Sequence, residues 1–596
     1  MCGINGIVSF HASAPPVDAG ELLRTREAMR GRGPDAAGIW ISPDGRAGLG
    51  HRRLSIIDVS ERANQPMVNG DLVLTFNGEI YNYRELRDDA CETNSDSEVL
   101  LHLYRKFGPA MLPRLRGMFA FAIWDARTNA LFLARDPYGI KPLYYANDGR
   151  TFRFASQAKA LLTSVSSSRD PAGVAGFLLR GHVPEPFTIY EDIRMLPAGS
   201  WMVVTRDGVS EPRPYFSIAE VLRDAVNESR RFGENERAAI IADGVRESVK
   251  YHLVSDVPVG AFLSAGRDSG SIVGLAAETG VSLRTITMRF EGQANDETPL
   301  ASLVAKQYGT THHTATLSRD QFRAQLPRAL EAMDQPTLDG LNSYFVSAAA
   351  AERGWKVALS GTGGDELFGG YSTFRNIPRF VRAVRPFRRM ASPFRDFYRL
   401  VASGPRFSPK TAYTLQYCAS YEGAYLLKRG LFLPEEIASI VGDDIAEEGL
   451  RRLNLLERIR DAITPDPGTP FARIAAMESA LLLRNQLLRD IDWASMAHSL
   501  EVRVPLVDAF LLRQIAPAVF STNKRDGKEL LARAPRTPLP REVLTRKKTG
   551  FTIPNVAWLE DRRHIGRHFG MRPWALYILE AGGHTTLECG GKATAF

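Results

Sequence analysis

The sequence predicts an α+β half followed by an α/β half. Three observations carry this reading. Residues 1 to about 200 alternate short apolar runs with Gly, Asn, Asp and Pro. From Glu236 onward, apolar strand-like runs alternate with helical patterns, as in a parallel, doubly wound sheet. A polar, charged stretch near 205–235 lies between them, and 596 residues are enough for at least two domains.

In the first half, strands are expected at 3–10, 72–76, 118–124, 130–134, 143–145 and 200–204. Helical patterns interrupt them at 19–29 and 97–107. Strands and helices in such blocks suggest antiparallel sheets packed together. In the second half, a helix at 235–253 leads into a strand at 257–263, a turn, and a helix from about Ser269. A strand at 283–290, a helix at 298–308 and a strand at 356–359 follow, the last ending in a Gly-rich turn. Residues 375–560 read as mostly helical, and 570–596 as an irregular tail. The expected limits are a first domain at 2–205, a connector at 206–235, a second domain at 236–560 and a tail at 561–596.

Composition narrows the function classes. Hydrophobic residues are 44% and charged residues 24%, which excludes a disordered polymer, a collagen or a coiled coil. The net charge of +8 suits anionic substrates such as nucleotides but does not argue for nucleic acid as a partner. The basic stretch at 379–399, interleaved with Phe380, Phe387, Phe394 and Phe397, reads as amphipathic helix with Arg outward and Phe inward. Cys2, Cys91, Cys418 and Cys589 are too scattered for a disulfide framework and show no Cys/His metal spacing. A reducing, cytoplasmic setting is expected. No signal-peptide pattern and no apolar run long enough for a membrane helix occurs, so no membrane partner is expected.

Cys2 follows the initiator Met, and so small a side chain permits Met removal. The residue would then carry a thiol nucleophile and an α-amine base together. The amine titrates near ~8, so it is partly free to accept a proton at neutral pH. Asn77-Gly78-Glu79 follows the 72–76 run, where an Asn amide and a Gly N–H can form an oxyanion hole. Arg53 can pair with a substrate carboxylate and Asp96 with a substrate ammonium. A thiol attacking the side-chain amide of such an amino acid points to glutamine.

CGIxG at 2–6, RGPD at 32–35, RLSIID at 53–58, NGEIYN at 77–82, SDSE at 95–98 and RDxxGxKPLYY at 135–145 resemble class II glutamine amidotransferases. The nearest resemblance is to the glutaminase half of asparagine synthetase B-type enzymes. It implies an N-terminal nucleophile hydrolase sandwich with Cys2 as nucleophile, Asn77 and Gly78 in the oxyanion hole, and Arg53, Asn77, Glu79 and Asp96 around glutamine. Gly31 departs from the His that usually precedes RGPD.

In the second half, Ser264-Ala265-Gly266-Arg267-Asp268-Ser269 lies between a strand and a helix, where backbone N–H groups and hydroxyls can meet phosphate. It is no Walker A loop; it resembles the SGGxDS loop of ATP pyrophosphatases. Ser360-Gly361-Thr362-Gly363-Gly364-Asp365-Glu366 resembles the second signature of the same synthetases. SMAHSLEVRVPLVD at 495–508 and RKKTGF at 546–551 extend the resemblance over roughly 2–560. It implies an ATP site of Leu263, Ser264, Gly266, Asp268, Ser269, Ser360, Gly361 and Lys548, with Mg²⁺ held by Asp268 and Asp365. It also implies glutamine and aspartate as substrates, and is compatible with a homodimer.

Four departures bear on the acceptor and the ATP site. Ala265 replaces a usual Gly and would be strained at positive φ. Arg267 either adds charge near pyrophosphate or faces solvent. Thr362 replaces a common acidic residue. Asp492-Trp493-Ala494 replaces the usual DRM beside the acceptor pocket. Thr362 and Ala265 favour a different acceptor, but family frequency favours glutamine-dependent asparagine synthesis with AMP and pyrophosphate as products, which is the expected activity. The alternatives are the same chemistry on another carboxylate, in a secondary-metabolite or cell-surface polysaccharide pathway, and a glutaminase or binding protein with a degenerate ATP site. Retention of Asp268, Ser269, Asp365 and Lys548 argues against the last.

Overall fold

The computed structural model describes residues 2–228, 232–292, 296–391, 393–395, 409–521, 526–546, 553–554, 558 and 571–582. Lys548, Phe397, Arg399, Cys589 and most of the expected tail lie outside the described residues. No helix among the described residues is long and apolar enough to cross a membrane.

Two antiparallel sheets face each other in the first half. One runs Arg194–Met195, Tyr144–Asn147, Thr151–Ala155, Gly3–Ser9, Ala47–Arg53, Ala36–Ile41. The other runs Gly208–Val209, Ser200–Thr205, Ala130–Arg135, Gly117–Asp125, Leu72–Ile80, Met67–Asn69, with Arg213–Pro214 also paired to Ser200–Thr205. Ile4, Leu49, Phe152 and Phe154 of the first sheet and Val73, Ala122, Leu133 and Met202 of the second form the dry layer between them. Such alternation, one face into the sandwich, is what period-2 patterning produces.

The second half contains one parallel sheet in the order Thr311–Leu317, Arg284–Phe290, Val259–Phe262, Val357–Leu359, Glu501–Arg503. Numbered along the chain this is 3-2-1-4-5, so the winding reverses between Val259–Phe262 and Val357–Leu359, which pair in parallel. A sheet of this kind opens a ligand crevice at that reversal, beyond the carboxyl ends of the strands.

Several expectations need correction. Leu72–Ile80 is one strand paired along its length with Gly117–Asp125, so Asn77, Gly78 and Glu79 lie within it, not after it. The expected connector contains the helix Ile218–Asn227, whose Ile218, Leu222 and Ala225 are buried against Ala509–Phe520. Their i, i+4, i+7 spacing is a helical stripe that the surrounding charges conceal. The tail contains the helix Arg572–Ala581, which buries Trp574, Ala575, Ile578 and Leu579. The helix Pro171–Arg180 was not anticipated; it is buried from Ala172 onward, so it shows no polar face to read. Ala47–Arg53, with two glycines and three basic residues, lacks strand propensity but is wholly buried. In the basic stretch, Thr373–Val384 turns Phe374, Ile377 and Val381 inward and Arg379 and Arg382 outward, whereas Phe387 is exposed.

Candidate active sites

Cys2 is buried at the head of the strand Gly3–Ser9. Its backbone N–H donates to Asn77 Oδ1 at 3.0 Å, and its carbonyl accepts from Arg32 Nε at 3.0 Å. Burial pushes the thiol pKa above its ordinary value, partly countered by the positive chain terminus. The thiol therefore needs a base to take its proton. Asn77 Nδ2 is buried without a hydrogen-bond partner among the described residues. A buried donor left unmade costs about 1–3 kcal/mol, so this amide beside the Cys2 backbone is available to an incoming oxygen. Gly78 has φ +154°, and a Cβ there would lie 2.1 Å from the Met118 carbonyl oxygen, so only glycine fits.

Glu79, two residues along and on the same face as Asn77, is also buried. Burial, with Glu501 and Asp96 nearby, raises its pKa well above the ordinary carboxylate range. Asp96 opens the helix Asp96–Phe107, capped by Ser95, and accepts from Ile80 N at 3.0 Å. That bond ties it to the end of the strand bearing Asn77. Burial raises its pKa to about 6.

The fold thus gathers Cys2, Asn77, Gly78, Glu79 and Asp96. Arg53 is close to them, but its guanidinium donates to Ser60 O at 2.8 Å, to Asn64 Oδ1 at 2.9 Å and to the Ile57 and Asp58 carbonyls. It holds the 57–64 loop, so a bidentate grip on a carboxylate is not preformed.

The two phosphate-loop candidates stand side by side at the reversal of the parallel sheet. Ser264 and Ser269 hydroxyls are 2.9 Å apart, and Gly266 N donates to Ser264 Oγ at 3.1 Å. Leu263 is buried, with its N–H on Ile286 O at 2.9 Å. Ala265 is not among the residues with positive φ, so the anticipated strain is absent. Its N–H donates to Glu297 Oε2 at 3.3 Å. Arg267 is half-buried and donates to the Leu544 carbonyl. A Cβ on Gly361 would lie 2.7 Å from Ser269 N, and one on Gly364 2.7 Å from Asp268 Cγ. Glycine at both positions lets the loop after Ser360 close onto Asp268. Ser360 Oγ and Thr362 Oγ1 lie 2.9 Å apart.

Lys528, part of none of the sequence motifs, places Nζ between Asp268 Oδ2 and Asp365 Oδ1, the latter at 2.8 Å. Burial works against its charge, but the two carboxylates outweigh it and raise its pKa. Two carboxylates gathered around one cation are the hard oxygen donors a Mg²⁺ ion takes, so the residues fit that metal. In sequence, Lys528 is one lysine at the start of the helix Gly527–Ala532, with nothing to distinguish it from a surface residue.

A buried charged layer separates the two sites. Arg32 donates to both Asp492 oxygens at 2.7 and 3.1 Å, and Lys141 Nζ is 3.8 Å from the same carboxylate. Trp493 is buried, donating to Asp490 Oδ1 at 3.1 Å. Arg503 donates to Glu501 Oε1 at 2.5 Å and lies 3.8 Å from Glu79 Oε1. Its carbonyl accepts from Ser360 N at 2.8 Å.

Comparison with known proteins agrees with this two-site layout. A family model described as a glutamine amidotransferase domain matches residues 1–216, and one described as asparagine synthase matches residues 241–569. The glutamine-hydrolysing asparagine synthetase 1 of Bacillus subtilis is 34% identical over 97% of this chain and 90% of its own length. A putative glutamine-hydrolysing asparagine synthetase of Mycobacterium tuberculosis is 34% identical over 94% of this chain and 88% of its own. Asparagine synthetase B of Escherichia coli is 34% identical over 63% of this chain and 66% of its own. With both halves matched in order and relatives aligned along nearly its whole length, the chain belongs to the glutamine-hydrolysing asparagine synthetase family.

Proposed function

We propose that the chain hydrolyses glutamine at Cys2 and uses the ammonia, with ATP, to convert aspartate into asparagine. The Cys2 sulfur attacks the glutamine side-chain amide, its proton passing to the α-amine exposed by Met removal. The tetrahedral oxyanion is met by Asn77 Nδ2 and the Gly78 N–H. Collapse to a thioester releases ammonia, and water then frees glutamate. Asp96 and Glu79 hold the substrate's ammonium end, while Arg53 shapes the wall near its carboxylate. A reducing, cytoplasmic setting suits a free catalytic thiol.

In the second site an aspartate carboxylate oxygen attacks the α-phosphorus of ATP, and pyrophosphate leaves. Ammonia then displaces AMP from the acyl-adenylate. Leu263, Ser264, Gly266, Ser269, Ser360 and Gly361 line the nucleotide, and Lys548 is assigned to the phosphates by its place in RKKTGF alone. Asp268 and Asp365 are the residues that would hold Mg²⁺, which when bound neutralises phosphate charge. Lys528 keeps a positive charge beside the departing pyrophosphate.

The observation that carries this reading is the strand Glu501–Arg503, which touches both sites through the Arg503 side chain and carbonyl. The test supplies purified protein with ATP, Mg²⁺, glutamine and aspartate. Asparagine, AMP and pyrophosphate are expected. Cys2→Ala should lose glutamine-driven synthesis and retain synthesis with high ammonium. ADP among the products, or loss of both activities in a folded Cys2→Ala protein, would overturn the reading. Thr362 places a hydroxyl where related enzymes carry an acid, which favours a second acceptor. Pyrophosphate formed with another carboxylic acid but not with aspartate would establish that alternative.

A further inference from the structure

Among Asp88, Cys91 and His102, a side-chain group meets the requirements of a metal site that the proposed reaction does not use. Asp88 and Cys91 lie in the loop between the helices Tyr83–Leu86 and Asp96–Phe107, and His102 lies two turns into the second helix. One ligand atom from each of the three falls within 4.8 Å of the others. Asp88 Oδ1 is 3.3 Å from His102 Nδ1 and 3.7 Å from Cys91 Sγ. With the bond lengths of tetrahedral zinc sites, the corresponding ligand–ligand edges are roughly 3.3 Å for O–N and roughly 3.6 Å for O–S. An Asp–His ion pair alone explains the first distance. It does not explain why a buried thiol, a weak donor, is aimed at the same oxygen.

We propose that Asp88, Cys91 and His102 bind a borderline transition-metal dication of the Zn²⁺ class, with water as fourth ligand. Thiolate, carboxylate and neutral imidazole together balance the charge of such an ion, and the mixed S/N/O set selects against Mg²⁺ and Ca²⁺. Binding displaces the Cys91 thiol proton and leaves His102 protonated on Nε2 only. Nε2 faces the Asn69 side-chain amide at 3.4 Å, with Glu98 Oε1 at 3.9 Å, so Nδ1 is the nitrogen turned toward Asp88 and the metal position. Asp88 is exposed and provides the entry side, while Cys91 is buried. The spacing Asp-x₂-Cys-x₁₀-His crosses a loop and part of a helix, which is why no Cys/His metal pattern is visible in the sequence. The metal would pin the 88–91 turn to the helix that begins at Asp96.

The full-length protein, stripped with chelator and kept reduced, should be titrated with Co²⁺. A thiolate-to-cobalt charge-transfer absorption saturating at one ion per chain, and bleached by Zn²⁺, is expected. Cys418→Ser should leave it intact, and Cys91→Ser should remove it. Asp88→Asn and His102→Asn should weaken binding by more than ~10-fold, the loss that even outer-sphere changes cause. Should Cys91→Ser fail to fold by circular dichroism, the Asp88 and His102 variants decide the matter. Absence of the band at saturation, or wild-type intensity in Cys91→Ser, would overturn the proposal.

Discussion

Asn77 uses one end of its amide to hold the Cys2 backbone, and the other end, Nδ2, is buried without a partner among the described residues, as the proposed oxyanion role requires. Asn77→Ala should therefore lower kcat for glutamine by about 10²–10³-fold, the usual loss of one oxyanion donor, and leave ammonium-driven synthesis intact. Steady-state kinetics with each nitrogen source checks this. Asp96, with its pKa raised by burial to about 6, must be ionised to pair with the substrate ammonium. As pH falls through that value, kcat/KM for glutamine should drop about tenfold per unit, while ammonium-driven synthesis lacks this limb. The stability effect has the opposite sense. An unfolded Asp titrates near ~3.9, so between about 4 and 6 the folded chain binds the extra proton, and stability from this group declines as pH rises. Lys528→Ala should abolish pyrophosphate release with either nitrogen source while glutaminase activity persists. Loss of glutaminase activity in a folded Lys528→Ala protein would contradict the separation of roles.

The strand Glu501–Arg503 shows how one element serves two sites. Arg503 is buried against the carboxylates of Glu501 and Glu79. Arg503→Met leaves both acids buried without their cation, a kind of change that costs about 3–5 kcal/mol. Denaturant unfolding should register it, with Arg503→Lys intermediate. At this scale the sequence was an uneven guide. The alternation of strands and helices after Glu236 was legible because each parallel strand is a short apolar run between breakers. Cys2, Asn77 and Asp268 were legible because their neighbours restrict backbone shape. Lys528 and Arg503 were not, since a single long cation acquires its role from carboxylates that lie 260 and 424 residues away in the chain. The helix Ile218–Asn227 was missed because only its inward stripe is apolar. The π-helical segment Glu478–Leu488 has no sequence period of its own to betray it.

Across the whole molecule, the two halves are joined by charges from opposite sides. Arg32 meets Asp492, Lys356 meets Asp35 at 2.7 Å, and Arg116 meets Asp508 at 2.7 Å. Ser499 Oγ adds a bond to Gly31 O at 2.7 Å. Arg32→Leu leaves Asp492 buried beside Lys141 alone and opens the layer between the sites. Glutamate should then accumulate in excess over pyrophosphate relative to the unaltered protein, and paired product assays on both will show it. The helix Ile218–Asn227 adds a final consequence. It occupies the stretch where an engineer would sever the chain, yet it is glued by Ile218, Leu222 and Ala225 to Ala509–Phe520. Scission after Asn227 would strand an oily stripe in water, so an amino-terminal half made that way would clump, whereas a cut before Ile218 keeps the helix on its partner.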